Sequence, residues 1–268
     1  MNDEQEHASG PEKPPFYQQR WFQGTGAVVA LLTAIWALVG APKPWKAVGD
    51  LFSSDLPRIN AEIVFDASDR MNAPFGFGGG RHVSKLEAAA DAVNVYGASL
   101  SNTGLALRRV GGPCSGPGPR LVEFGANHGD DVGDVAAEQR ASGRSNLAAT
   151  IIAAIDDFAD SDRFPDPHAP KQLVIFAGTP DECQTEANRT IRERIEETDV
   201  RADFELIGLR FSAADREKLR QLKAALGGKN VNVQFASNTT ELQRATDNVT
   251  ERVPGTTGTP TVGGTPDD

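Results

Sequence analysis

Six short apolar runs punctuate the middle of the chain, and their spacing limits the folds open to it. They read AEIVFD (61–66), GLALRRV (104–110), RLVEFG (120–125), KQLVIFA (171–177), DFELIGL (203–209) and NVNVQFA (230–236). Several are almost unbroken in Val, Ile, Leu and Phe, as expected for parallel strands covered on both faces. Helix signals fill most of the gaps. Ser84 stands three residues before Glu87, a capping box, and Leu86, Ala90 and Val93 then recur on one face. Ser145 or Asn146 is placed to cap a helix that buries Ile151, Ile155 and Phe158. Ser212 precedes Asp215 by three, and Gly227-Gly228 ends the helix that follows. Asn238 stands in the same way before Glu241, and residues 186–199 read as a polar helix. Strand and helix alternate, which predicts an α/β fold: a mainly parallel six-stranded sheet with helices on both faces. The runs at 104–110 and 120–125 lie too close for a helical crossover. They predict a hairpin and hence one antiparallel edge strand.

The flanks are of different character. Residues 1–20 are polar and are expected to be a disordered cytoplasmic tail. No charge occurs between Arg20 and Lys43, and residues 24–42 are long enough to cross the roughly 30 Å hydrocarbon layer as one helix. Trp21 and Trp45 stand where interfacial aromatics belong. The expectation is a transmembrane helix over 21–42. A cleaved signal peptide and a buried soluble helix are the alternatives, the first disfavoured by the late start and by Pro42. Lys and Arg before and after the run nearly tie, so charge does not set the orientation. Residues 43–59 form a connector, 60–252 the globular domain, and 253–268, rich in Gly, Thr and Pro, a flexible end.

The chain of 268 residues has a net charge of −10, which speaks against nucleic acid as a partner. Its four histidines show no metal-ligand spacing, and the GFGGG stretch (76–80) lacks the Lys-Ser/Thr of a phosphate loop. It reads instead as a flexible extension of the loop after the first strand.

That loop carries the chemistry. AEIVFDASDRMN (61–72) drops from an apolar strand straight into Asp66, Ser68 and Arg70. In open parallel sheets, ligands bind at the carboxyl ends of the strands. At this point the sequence resembles the von Willebrand factor A (VWA) family. The family's first motif, Asp-x-Ser-x-Ser followed by Met, is matched in DASDRM by Asp66, Ser68 and Met71, with Arg70 in place of the second Ser. Its second motif, a Thr in a Gly-x-Thr-x-Leu context, is matched by GRSNLAAT (143–150), with Ser145 at the Thr position. Its third, an Asp after the fourth strand, falls on Gly178 in VIFAGTPDEC (174–183), with Asp181 three residues on. The resemblance covers about residues 60–250. It implies a Rossmann-like VWA fold with a degenerate metal-ion-dependent adhesion site. It also implies a disulfide between Cys114 and Cys183, which occupy the family's paired places. Such a bond would close a loop of about 70 residues and place the domain outside the cytosol.

In the family, these motifs surround Mg²⁺ with oxygens, and a partner's carboxylate often completes the shell. Asp66, Ser68 and Ser145 are the candidate metal ligands here. Mg²⁺ requires six oxygens in near-octahedral array. Arg70 brings a fixed positive charge to that place and Gly178 lacks a carboxylate, so no cofactor is expected, with Mg²⁺ as the alternative. Three readings stay open for Arg70: a site with a metal, an internal Arg70–Asp66 pair replacing the ion, or plain turn and cap residues. Asp181 reaches the site only if its loop is displaced.

The sequence thus points to a single-pass cell-membrane protein with an extracytoplasmic VWA-like domain. It is expected to bind another protein through the carboxyl-end face of its sheet, and to be no enzyme. A metal-dependent ligand binder, a scaffold subunit of an envelope complex and a hydrolase using Asp66 and Ser68 are the alternatives. The hydrolase lacks a nearby His or Lys base in sequence.

Overall fold

A computed structural model describes residues 59–78, 81–100 and 102–253. No helix among these is long and apolar enough to cross a membrane. The 24–42 run, the tail before it and most of the connector lie outside the described residues.

The sheet has strand order β5-β4-β1-β6-β7-β8, with β1 Ile59–Asp66, β4 Thr103–Val110, β5 Arg120–Ala126, β6 Lys171–Ala177, β7 Asp203–Leu209 and β8 Val231–Ala236. All pairs are parallel except β4–β5, the antiparallel edge. The central strand β1 is fixed in register on both sides, Ile63 facing Leu107 on β4 and Val174 on β6. The loop after β1 is not an open extension. It holds a second two-stranded sheet, the hairpin of β2 (Pro74–Gly78) and β3 (Arg81–Ser84). Phe75, buried to 2% exposure, anchors it.

Successive β1 side chains alternate between two cores, as strand geometry requires. Ile63 and Phe65 face α1 (Lys85–Ser99), α2 (Gly129–Ala137) and α6 (Thr239–Glu251). Val64 faces α3 (Leu147–Ala159), α4 (Ala187–Thr198) and α5 (Ala213–Ala225). The capping box at Ser84–Glu87 forms, and Ser212 and Asn238 cap α5 and α6. Val253, assigned from composition to the flexible end, is buried against the first core, because one apolar residue just past α6 can still fold back onto it. The short helix α2 carries no cap or periodicity strong enough to be read from sequence.

One buried feature interrupts the apolar pattern. Glu62, in the middle of β1, accepts a hydrogen bond from Arg108 Nε at 2.7 Å. Arg108 and Arg120 both pair with Asp157 of α3. This network ties the edge strand β5 to the second core. Burial raises the Glu62 carboxyl to about 7, against the opposing pull of Arg108.

Candidate functional site

The site is built where β1, β6 and the loop before α3 converge at the carboxyl edge. Asp66 is fully buried, and its oxygens are held by backbone amides, Oδ1 by Ser68 N at 2.9 Å and Oδ2 by Gly178 N at 2.8 Å. Burial raises its pKa, and the amides of Ser68, Gly178 and Thr179 offset this in part. Ser68 and Ser145 are also fully buried; the Ser68 hydroxyl lies close enough to the Asp66 carboxylate to help lower its pKa, whereas the Ser145 Oγ has no hydrogen-bond partner among the described residues. Buried hydroxyls are rarely left so. Asp66 and Ser68 thus form a small polar niche, approached by the loop that carries Ser145; Gly143 O of that loop accepts from Asp69 N at 2.8 Å.

The sequence-based Arg70–Asp66 pair is not found. The Arg70 side chain is 70% exposed, and its Nε lies 3.3 Å from Glu182 Oε1. The reason is access: Asp66 lies at the end of a central strand beneath the loop, while Arg70 sits on a single 3-10 turn (Asp69–Asn72) facing outward. Glu182, absent from the sequence reading, spans the mouth. Its Oε2 accepts from Ser145 N at 3.0 Å, and its own amide donates to Ser145 O at 2.8 Å.

Asp181 does not join the niche. Its Oδ2 accepts from Ala148 N at 2.7 Å and its Oδ1 from Cys183 N and Gln184 N, so it caps α3. It thus takes the role expected of Ser145 or Asn146. Asn146 instead ties the start of α3 to the β4–β5 connection, accepting from Gly111 N and donating to Gly116 O. Cys114 and Cys183 are bonded, with Cα atoms 5.2 Å apart.

A second residue missed in sequence is Lys85, the first residue of α1. Helical side chains lean toward the N-terminus, so this position aims at the carboxyl edge of the sheet. Lys85 is buried, and its Nζ donates to Gly178 O at 2.8 Å. Burial lowers its pKa, while the Asp66 carboxylate opposes that shift. Gly178 itself has no room for a side chain. A Cβ there would lie 2.1 Å from Met71 Sδ and 3.4 Å from Asp66 Oδ2. Among the described residues no group of three or more His, Cys, Asp or Glu is gathered as for a metal ion.

No family model matches the sequence, and no curated protein matches it. Similar solved structures exist. A D319A mutant of the PilB minor pilin from Streptococcus sanguinis is 10% identical, with TM-score 0.56 over 73% of this chain and 61% of that one. A von Willebrand factor type A protein from Catenulispora acidiphila is 16% identical, with TM-score 0.51 over 73% and 42%. An aerotolerance-related membrane protein from Bacteroides fragilis is 10% identical, with TM-score 0.50 over 72% and 98%. The described domain has a VWA-like fold. The match spans 61% of the pilin chain, well short of its whole length.

Proposed function

We propose that this chain is a membrane-anchored, extracytoplasmic protein-binding domain that grips its partner at the carboxyl edge of the sheet without a metal ion. The observation that carries the reading is the niche: the buried Asp66 and Ser68 and the buried, unpartnered Ser145 hydroxyl lie at the edge where the exposed Arg70 pairs with Glu182. The anchor is the uncharged run 24–42, and the disulfide supports an oxidising compartment. The likeness to a membrane protein from Bacteroides fragilis agrees with this.

The hydroxyl pair is the one feature suited to Mg²⁺, and the rest of the site does not fit it. Arg70 pairs with Glu182, and Lys85 lies near enough to Asp66 for the carboxylate to raise its pKa against the effect of burial. A dication ~5 Å from a unit cation is repelled by roughly 7 kcal/mol at an effective dielectric near 20. The place of the missing third-motif carboxylate is filled by Met71. An enzymatic role finds no support either. The Ser68 hydroxyl neighbours only the buried Asp66 carboxylate, the Ser145 hydroxyl has no partner among the described residues, and Lys85 Nζ is engaged with Gly178 O.

The test is position-specific photo-crosslinking of the full-length chain in its membrane, with and without EDTA. A crosslinking side chain at Arg70 should trap a single protein, unaffected by EDTA. The same group at Asp203, at the opposite edge, should trap none. Equal capture from Asp203, or loss of capture with EDTA, would overturn the reading.

A further inference from the structure

Beside the niche lies a cleft of about 760 Å³ between the β2–β3 hairpin, the start of α1 and the β7–α5 loop. Its titratable lining residues are His82, Lys85 and Arg210, with no carboxylate among them. That is a local reversal in a chain with 37 acidic and 27 basic residues. Lys85 stands inside and Arg210 is exposed at the wall. Most arginines of the domain end on carboxylates, as Arg108, Arg120, Arg194 and Arg252 do. These two cations end on carbonyls instead: Lys85 Nζ on Gly178 O and Arg210 Nη1 on Pro74 O, both at 2.8 Å. A carbonyl orients a cation without neutralising it, although the Asp66 and Asp215 carboxylates act on Lys85 from nearby, and each group carries further N–H donors. Arg210 also holds a φ of 52°, a left-handed conformation that favours glycine. A long cationic side chain is thus kept where the backbone would prefer none. Phe75 and Pro74 give the cleft an apolar wall.

We propose that this cleft binds an acidic segment of the partner protein, with Lys85 and Arg210 as direct, metal-free contacts to its carboxylates. The inference rests on the protein-binding reading above and specifies the chemistry of the partner. Charge complementarity selects a carboxylate-bearing segment over a neutral or basic one.

Fluorescence anisotropy on the full-length chain in detergent, with EDTA throughout, tests it. The probes are fluorescein-labelled hexaglutamate and, as neutral control, hexaglutamine. Hexaglutamate should bind and hexaglutamine should not, and millimolar inorganic phosphate should leave the complex intact. Arg210→Gly suits the backbone and removes the charge. It should weaken hexaglutamate binding about tenfold or more at an undiminished melting temperature, and Arg210→Lys should restore part of it. Lys85→Met, which keeps the stem, should act in the same direction. The proposal fails if the two peptides bind alike, if hexaglutamate does not bind, if phosphate displaces it, or if folded Arg210→Gly binds as the wild type does. Crosslinking from Arg70 that persists in Arg210→Gly would keep the protein-binding reading and remove only this one.

Discussion

The sulfur of Met71 lies where a side chain at Gly178 would have to begin, 2.1 Å from the ideal Cβ position. Met71 is itself fully buried, so it has little space into which to retreat. Gly178→Ala should therefore cost about 1–3 kcal/mol by overpacking. Met71→Ala alone should cost roughly 2–5 kcal/mol by leaving a cavity. The double mutant should lose clearly less than the sum, because each change relieves the other. Urea denaturation of the three variants measures this; strict additivity would mean that the two residues do not compete for one space. By the same geometry, Gly178→Asp should not create a Mg²⁺ site, and melts with and without Mg²⁺ should coincide.

Arg70→Ser should change stability little, by less than about 1 kcal/mol. The ion pair it removes is largely exposed on the Arg70 side. A loss well above this, seen in thermal melts, would show that Arg70 supports buried structure after all.

Glu62 makes stability depend on pH. Its carboxyl titrates near 7 in the fold and near 4.5 when unfolded, so folding takes up a proton. The stability this contributes is complete below about pH 4.5 and disappears as pH rises through about 7. The wild type should therefore lose roughly 1–3 kcal/mol between about pH 5 and pH 7.5, and Glu62→Gln should lose much less over that range. Denaturant midpoints at the two pH values decide it, and parallel profiles for both proteins would count against the assignment.

Replacing both Cys114 and Cys183 by Ser releases a crosslink across 69 positions. The chain-entropy model puts the cost at about 4 kcal/mol. A more local effect should accompany it, because Cys183 directly follows Asp181 and Glu182. Amide exchange should rise first at residues 181–184 and at the start of α3, which Asp181 caps. Uniform acceleration across the sheet instead would show that the bond acts on the whole fold alone.

The architecture was readable because each strand is a short apolar run with a turn or cap at its end. The periods of 2 and 3.6 then left one sheet order class open, and Gly104–Val110 with Arg120–Gly125 fell into place as the antiparallel edge. The positions of Asp66, Ser68 and Ser145 were readable for the same reason, since strand ends and helix starts fix them. Their partners were not. Glu182 and Asp181 are adjacent in a loop with no period, and which of the two faces the niche depends on a backbone path that no local signal encodes. Lys85 carries no sequence signal beyond its place in the first turn of a helix. Only the packing of α1 against the sheet shows that its stem runs inward to Gly178. The β2–β3 hairpin was hidden by its glycines, which are equally common in open loops and in tight turns.

β1 both ends at the niche and receives the chain arriving from its amino-terminal side. Ile59 and Asp66 stand at opposite edges of the sheet, about 23 Å apart along one strand. If a partner is held at the Asp66 end while the chain ahead of Ile59 is fixed, tension between them travels along the backbone of that strand. It need not be carried by sliding β1 past β4 or β6, whose hydrogen bonds flank it on both sides. Only the share of a pull that enters through the loop after Asp66 follows this path; any share taken up at Lys85 or Arg210 must cross the sheet through the pairing of β1 with its neighbours.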